Sequence, residues 1–162
     1  MDAILKHKWY IWYHKDKDNW TISGFEKIYE IINVNDFWKL YNSWNKIFNN
    51  INKHIFIMRE GINPIWEDPN NINGGCWSFK VANDVLANEL WEDLSIYIVT
   101  NNLSNDNSDE IFGLSMIHKK NNNCIIKIWN KDCNKNSLNL LNKNILNKWG
   151  TNIIYIAHIQ LN

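Results

Sequence analysis

The chain has 162 residues, a formal net charge of zero and a sequence pI near 7.0. That length makes one ordinary domain with one real core, and the neutral balance excludes a protein that coats nucleic-acid backbone by bulk charge, though not one that grips a single nucleotide. The three cysteines, Cys76, Cys124 and Cys133, lack any Cys-x-x-Cys or Cys/His spacing, which sets aside a disulfide framework and a zinc site and suits a reducing compartment.

The run Trp9-Tyr10-Ile11-Trp12-Tyr13 predicts a strand over 9–14 from its aromatic and β-branched content. A charged turn, Lys15-Asp16-Lys17-Asp18-Asn19, then leads to Trp20, and residues 25–31 read as a second strand with Phe25, Ile28 and Ile31 inward. Asn35 is placed to N-cap a helix in which Phe37, Leu40, Tyr41, Trp44 and Ile47 recur at helical spacing. Trp38 falls on a different face, and a surface helix cannot bury its whole circumference. Residues 55–58 and 77–81 predict short strands on either side of a turn-rich connection. Residues 84–97 read as a long helix with Leu86, Leu90, Trp91, Leu94 and Ile98 at three- and four-residue steps. Residues 101–109 are polar and without period, which predicts a mobile loop. Residues 111–119 and 124–129 form a strand pair joined by Lys120-Asn121-Asn122-Asn123. A third helix is expected over 137–149, with Leu138, Leu141, Ile145, Leu146 and Trp149 inward and Gly150 at its C-cap, before a last strand over 153–159. Antiparallel strands with interspersed helices give an α+β fold, and with no internal repeat or linker the chain reads as a single domain over 1–162. The N-terminus has no apolar signal region, and no apolar run reaches membrane-spanning length.

The chemistry concentrates in Gly61-Ile62-Asn63-Pro64-Ile65-Trp66-Glu67-Asp68-Pro69. Pro64 fixes its own φ and biases Asn63 away from helix, so the stretch is an ordered loop. Trp66 offers a flat ring face and Glu67 offers acceptor oxygens beside it. That pair suits a guanine, whose N1–H and N2–H₂ are adjacent donors that one carboxylate accepts together. Asp68 reads as a solvated loop carboxylate.

These residues, with Gly74-Gly75-Cys76-Trp77 after them, resemble the signature of the eukaryotic translation initiation factor 4E family, which binds the 7-methylguanosine cap of messenger RNA. Trp9–Tyr13 with Trp20, the stretch Val34-Asn35-Asp36-Phe37-Trp38-Lys39-Leu40-Tyr41-Asn42, and Ile126-Lys127-Ile128-Trp129-Asn130 resemble further family motifs in the same order. The resemblance implies a curved antiparallel sheet with three helices on its convex back and the cap pocket on its concave front. It implies that Trp20 and Trp66 sandwich the methylated, cationic base, that Glu67 takes its Watson–Crick edge, and that Trp129 walls the N7 methyl group. Most of the ten tryptophans are then left to the core.

The chain departs from the family at the phosphate contacts. Lys119 stands where an arginine is usual, Ile125 where a lysine is usual, and Cys76 where a basic residue is usual. Lys127, on the same strand face as Ile125, takes over, so Lys119 and Lys127 are the phosphate candidates. On the back, the resemblance assigns Val34 and Trp38, with Ile96 and Val99, to a Tyr-x-x-x-x-Leu-Φ helical peptide of the scaffold factor 4G or its competitors; Glu92 stands where an apolar residue is common. No catalytic constellation is visible and no cofactor or metal is implied. The expectation is a cytoplasmic monomer, not an enzyme, that holds capped mRNA in front and a scaffold behind. A cap-binding competitor that does not recruit the scaffold is the alternative, and a carbohydrate-binding module with tryptophan platforms is a remote one.

Overall fold

Strand alternation divides the apolar side chains between the two faces of one sheet. The computed structural model describes residues 3–44, 54–106, 108–119, 123–150 and 152–159. Its strands are β1 (Ile4–His14), β2 (Phe25–Asn33), β3 (Ile55–Arg59), β4 (Gly75–Val81), β5 (Ile111–His118), β6 (Cys124–Asn130) and β7 (Ile153–Ala157). They pair antiparallel in the order β2-β1-β3-β5-β6-β4-β7. Among the described residues the α-helices are α1 (Val34–Asn42), α2 (Asp84–Val99) and α3 (Lys143–Trp149), on the convex back of the curved sheet.

The main core lies between sheet and helices: Ile57, Trp77, Leu114 and Ile128 face Phe37 and Leu40 of α1 and Leu90, Leu94 and Ile98 of α2. A smaller cluster, Phe25, Phe56, Met58, Ile62, Cys76, Phe112 and Trp129, lies on the front. Phe25 and Ile31 are an even number of residues apart, yet they fall in different clusters. The cause is a β-bulge: Ile11 pairs with Tyr29 while Trp12 pairs with Lys27, so Ile28 is an extra residue that reverses the alternation. The expected shared inward face of Phe25, Ile28 and Ile31 is corrected accordingly.

Other local expectations also change. Helix α1 starts two residues early because Asn33, not Asn35, caps it: the Asn33 side chain accepts from Asp36 N at 2.8 Å, and the Asp36 carboxylate accepts from Asn33 N at 3.3 Å and Ile32 N at 2.9 Å. Ile47 lies outside the described residues. In α2, Leu86 is 39% exposed and Ala87 takes the inward position. The helix expected over 137–149 is broken. Leu138–Leu140 is a 3₁₀ turn, Leu141 is extended and fully buried, and Asn142 caps α3 by accepting from Asn144 N at 2.8 Å. Leu138 consequently stays exposed.

Residue 107 lies outside the described residues, and the described ends of the stretch expected to be a mobile loop are tied to the rest of the fold. Asn105 N donates to Leu140 O at 2.9 Å, Asp109 pairs with Lys6 at 2.8 Å, and Arg59 Nη1 donates to Asp109 O at 2.6 Å. At the other end of the sheet, Cys124 Sγ lies 2.9 Å from His118 Nδ1, which lies 3.3 Å from Asp84 Oδ1. This chain fastens the start of α2 to the β5–β6 pair. Burial and the neighbouring Asp84 push the Cys124 thiol up to about 11, so it stays protonated at neutral pH.

Candidate functional site

The β3–β4 loop lifts two side chains out of the fold while burying those around them. Gly61 turns the chain out of β3 at φ +84, a backbone region that glycine enters without strain. Ile62 and Pro64 go under, with Ile62 joining the front cluster. Asp68 is 6% exposed and accepts from Asn63 N at 2.9 Å, Asn70 N at 2.8 Å and Asn70 Nδ2 at 3.0 Å. Asn71, fully buried, donates through Nδ2 to Asn63 O at 3.0 Å and Ile65 O at 2.9 Å. Asp68 is therefore an internal clamp, which corrects the expectation of a solvated carboxylate; its backbone donors outweigh its tendency to stay in water. The clamp leaves Trp66 and Glu67 exposed at the apex.

Trp20 is held on a separate platform. Its ring lies 4.2 Å from that of His14, which in turn stacks on Phe25 at 4.4 Å and 19°. His14 Nε2 donates to Asn19 O at 2.8 Å, and Asn19 Oδ1 accepts from Thr21 N at 3.0 Å, so the turn before Trp20 is tied to β1 and closed on itself. Gly24 is required here: a Cβ would meet Asn19 O at 2.0 Å.

A cleft of about 340 Å³ opens on the concave face, lined by Trp20, Trp66, Glu67, Trp129, Lys119 and Lys127 among others. The six side chains that the resemblance assigns to base and phosphates thus line one cleft. Trp129 forms part of its inner wall at 7% exposed, with Nε1 donating to Ser115 Oγ at 3.0 Å and its ring 6.0 Å from Phe56 and 5.0 Å from His158. It is both a core and a cleft residue. Strand β6 runs with alternation, so Ile125, Lys127 and Trp129 share the front while Ile126 and Ile128 enter the main core.

Sequence reading missed His54, Asp68, Asn71 and His158. Nothing local marks them: each acquires its role from a neighbour distant in the chain or from the folded loop. Burial, reinforced by Lys127, His14 and Lys119, lowers the His54 imidazole to about 3. His158 is also lowered by burial; its Nδ1 lies 2.7 Å from Asn71 O and its Nε2 3.1 Å from Cys76 Sγ. Burial pushes the Cys76 thiol up to about 12. Both shifts favour a neutral thiol–imidazole pair over the thiolate–imidazolium pair that nucleophilic catalysis needs. Around the cleft the formal charges at pH 7 are then Glu67 near one aromatic lip and Lys119 and Lys127 along the sheet. Exposed ring faces, an acceptor carboxylate and two ammonium groups complement a flat ring with donors on its edge and an anionic tail.

The residues that the resemblance assigns to a partner divide. Val34 and Ile96 are half-buried and Trp38 is 43% exposed on the convex side, its ring at 74° to that of Phe37. Val99 is only 3% exposed. It continues the buried row of Trp91 and Ser95 at four-residue steps and belongs to the core, which corrects its assignment to a partner surface. Glu92 has a neighbour within the molecule: burial and the nearby Glu92 carboxylate together push the Tyr41 hydroxyl up to about 12.

The fold and cleft define a class, a helix-backed antiparallel sheet whose concave face carries exposed tryptophans beside a carboxylate. The family model of eukaryotic initiation factor 4E matches residues 4–160, and the chain belongs to that family. It is 28% identical over 144 residues to eukaryotic translation initiation factor 4E of Candida albicans, covering 83% of this chain and 67% of that protein. It is 31% identical over 138 residues to initiation factor NCBP of Arabidopsis thaliana, covering 81% of this chain and 60% of that protein. The chain thus spans about two thirds or less of these relatives' lengths. Among solved structures, Ascaris suum eIF4E-3 in complex with the m7G cap superposes with a TM-score of 0.82 at 26% identity, covering 99% of this chain and 94% of that one. The complex of C. elegans eIF4E-3 with the 4E-binding protein Mextli and cap analog gives 0.82 at 25%, covering 98% and 94%.

Proposed function

We propose that this protein binds the 7-methylguanosine cap of mRNA in its concave cleft and a 4E-binding partner on its convex back. Trp20 and Trp66 stack on the cationic base, Glu67 accepts from its N1–H and N2–H₂, Trp129 walls the methyl group, and Lys119 and Lys127 attract the phosphates. Val34, Trp38 and Ile96 receive a helical Tyr-x-x-x-x-Leu-Φ segment of a scaffold such as factor 4G. The protein acts in the cytoplasm as a binding factor and makes or breaks no bond. The observation that carries the reading is the convergence of Trp20, Trp66, Glu67, Trp129, Lys119 and Lys127, drawn from separate elements, on one cleft. The family relatives bound to a cap and to Mextli support it.

The test is tryptophan quenching titrated with 7-methyl-GTP and with GTP. The methylated ligand should bind more tightly by on the order of 2 kcal/mol, the contribution of a cation–π contact in a desolvated slot. Equal affinities would mean that no cation sits between the indoles.

A further inference from the structure

The strand registers arrange the concave-face side chains in rows across β7, β4, β6 and β5. One row is Ile156, Cys76, Trp129 and Gly113; the next is Ile154, Ser78, Lys127 and Ser115. The row beyond is Lys80, Ile125 and Ile117. Moving from Trp129 to Ile125 along β6 is four residues, about 13 Å at 3.3 Å per residue. A ligand whose base rests by Trp129 and whose phosphate chain runs along β6 therefore passes Lys127 and then arrives at the Lys80–Ile125 pair. Ile125 lines the cleft and offers no charge there. Lys80, directly across on β4, is exposed, and its alternation partners Phe79 and Val81 go into the main core, which fixes it on the front.

We infer that Lys80 is a third phosphate-binding residue, whose stem lies over Ile125 and whose ammonium supplies the charge that the β6 position lacks. Strands are about 4.8 Å apart, and a lysine stem of four carbons spans that distance while covering apolar surface. The charge is available: no carboxylate lies within ion-pair distance of Lys80 among the described residues, whereas Lys135 and Lys148 are engaged by Glu110, Glu89 and Asp93. Lys80 does not itself line the cleft; it flanks Ile125 at its margin. Its partner is consequently the distal part of the ligand, either the far end of the cap's phosphate bridge or a phosphodiester of the RNA that follows. This inference rests on the cap-binding reading.

The experiment measures dissociation constants of wild type and Lys80→Ala for 7-methylguanosine, 7-methyl-GTP and a capped oligoribonucleotide, at about 50 and 200 mM salt. Lys80→Ala should leave the nucleoside unchanged, weaken phosphate-bearing ligands about threefold at the lower salt, and flatten the log–log salt slope by about 0.7. Lys80→Arg should retain binding. Adding Ile125→Lys to Lys80→Ala should restore it by returning the charge one strand away. Weakening of both phosphate ligands places the contact on the bridge; weakening of the capped oligonucleotide alone places it on the following RNA. Unchanged affinity and slope for both ligands overturn the inference, and so does equal weakening of the nucleoside, which would mark a structural effect. If wild type fails to bind 7-methylguanosine at all, the cap-binding reading fails and takes this one with it.

Discussion

Glu67 stands exposed beside Trp66 with no cation within ion-pair distance among the described residues, so its acceptors are available to a ligand. Glu67→Ala removes the acceptor for two base donors, and cap affinity should fall by about 2–3 kcal/mol, as for charge-assisted hydrogen bonds. The melting temperature should not move, since the side chain contributes nothing to either core. Calorimetric titration beside a thermal melt checks both, and full affinity in the variant would remove Glu67 from the site. The tryptophans sort by exposure in a way that matches their proposed roles. Trp9, Trp77 and Trp91 are at most 3% exposed, while Trp20, Trp66 and Trp38 are 56%, 48% and 43% exposed. These last three were already separable in the sequence, because a charged turn, a proline-bearing loop and an off-stripe helix position are poor places to bury an indole. Asp68 was not separable from Glu67 beside it. Which of two adjacent carboxylates turns inward depends on where the backbone N–H groups of Asn63 and Asn70 point, and that is settled only by the folded loop.

Elements set what those residues can reach. Asp68→Ala would leave the Asn63 and Asn70 amides without their acceptor inside the β3–β4 loop, at a cost of about 1–3 kcal/mol for the unpaired donors. Urea unfolding should register that loss. Cap affinity should fall with it, although Asp68 is not among the cleft-lining residues, because Trp66 and Glu67 lose their support. Unchanged affinity would mean the loop keeps its shape without the clamp. On the back, the split between surface and core yields a paired prediction. Trp38→Ala should cost more than about 2 kcal/mol in binding a Tyr-x-x-x-x-Leu-Φ peptide while cap affinity and stability hold. Val99→Ala should do the reverse, destabilising the fold by on the order of 1–3 kcal/mol with little direct effect on the peptide. Peptide pull-down and denaturation of the two variants separate the cases. Element type was legible for the strands and for α1 and α2, because the strands carry β-branched and aromatic runs and α2 keeps a helical apolar stripe. Boundaries were not, for identifiable reasons. Asn33 and Asn35 are equally good caps by residue type, and the choice falls to Asn33 because Asp36 completes the box. The break at Leu141 is tertiary, since Leu141 pairs with Ser104 from a distant loop.

At the scale of the whole molecule, burial keeps two imidazoles, His54 and His158, neutral beside the cleft. Their protonation is linked to folding. The ordinary value for His54 is 6.5 and the folded protein lowers it to about 3, chiefly by burial. Between those values the unfolded chain binds a proton that the folded chain refuses, so stability rises with pH across the window and is fully present above 6.5. Acidification from pH 7 towards pH 4 should therefore destabilise the protein, by at most about 1.4 kcal/mol per pH unit for one such proton. His158 acts in the same direction. Asp109, held below its ordinary 3.8 by Lys6, His7 and Asn101, also loses its contribution on acidification, beginning about one pH unit above that value, so the interval from pH 6.5 to about 5 isolates the histidines from it. The measurement is urea unfolding at pH 7, 6, 5 and 4 for wild type and His54→Gln. Glutamine takes up no proton, so the slope below pH 6.5 should be shallower in the variant, leaving the part due to His158. Identical slopes in the two proteins would mean that His54 accepts a proton in the folded state, and that its ring is open to water where the structure has it packed 4.2 Å from Phe56.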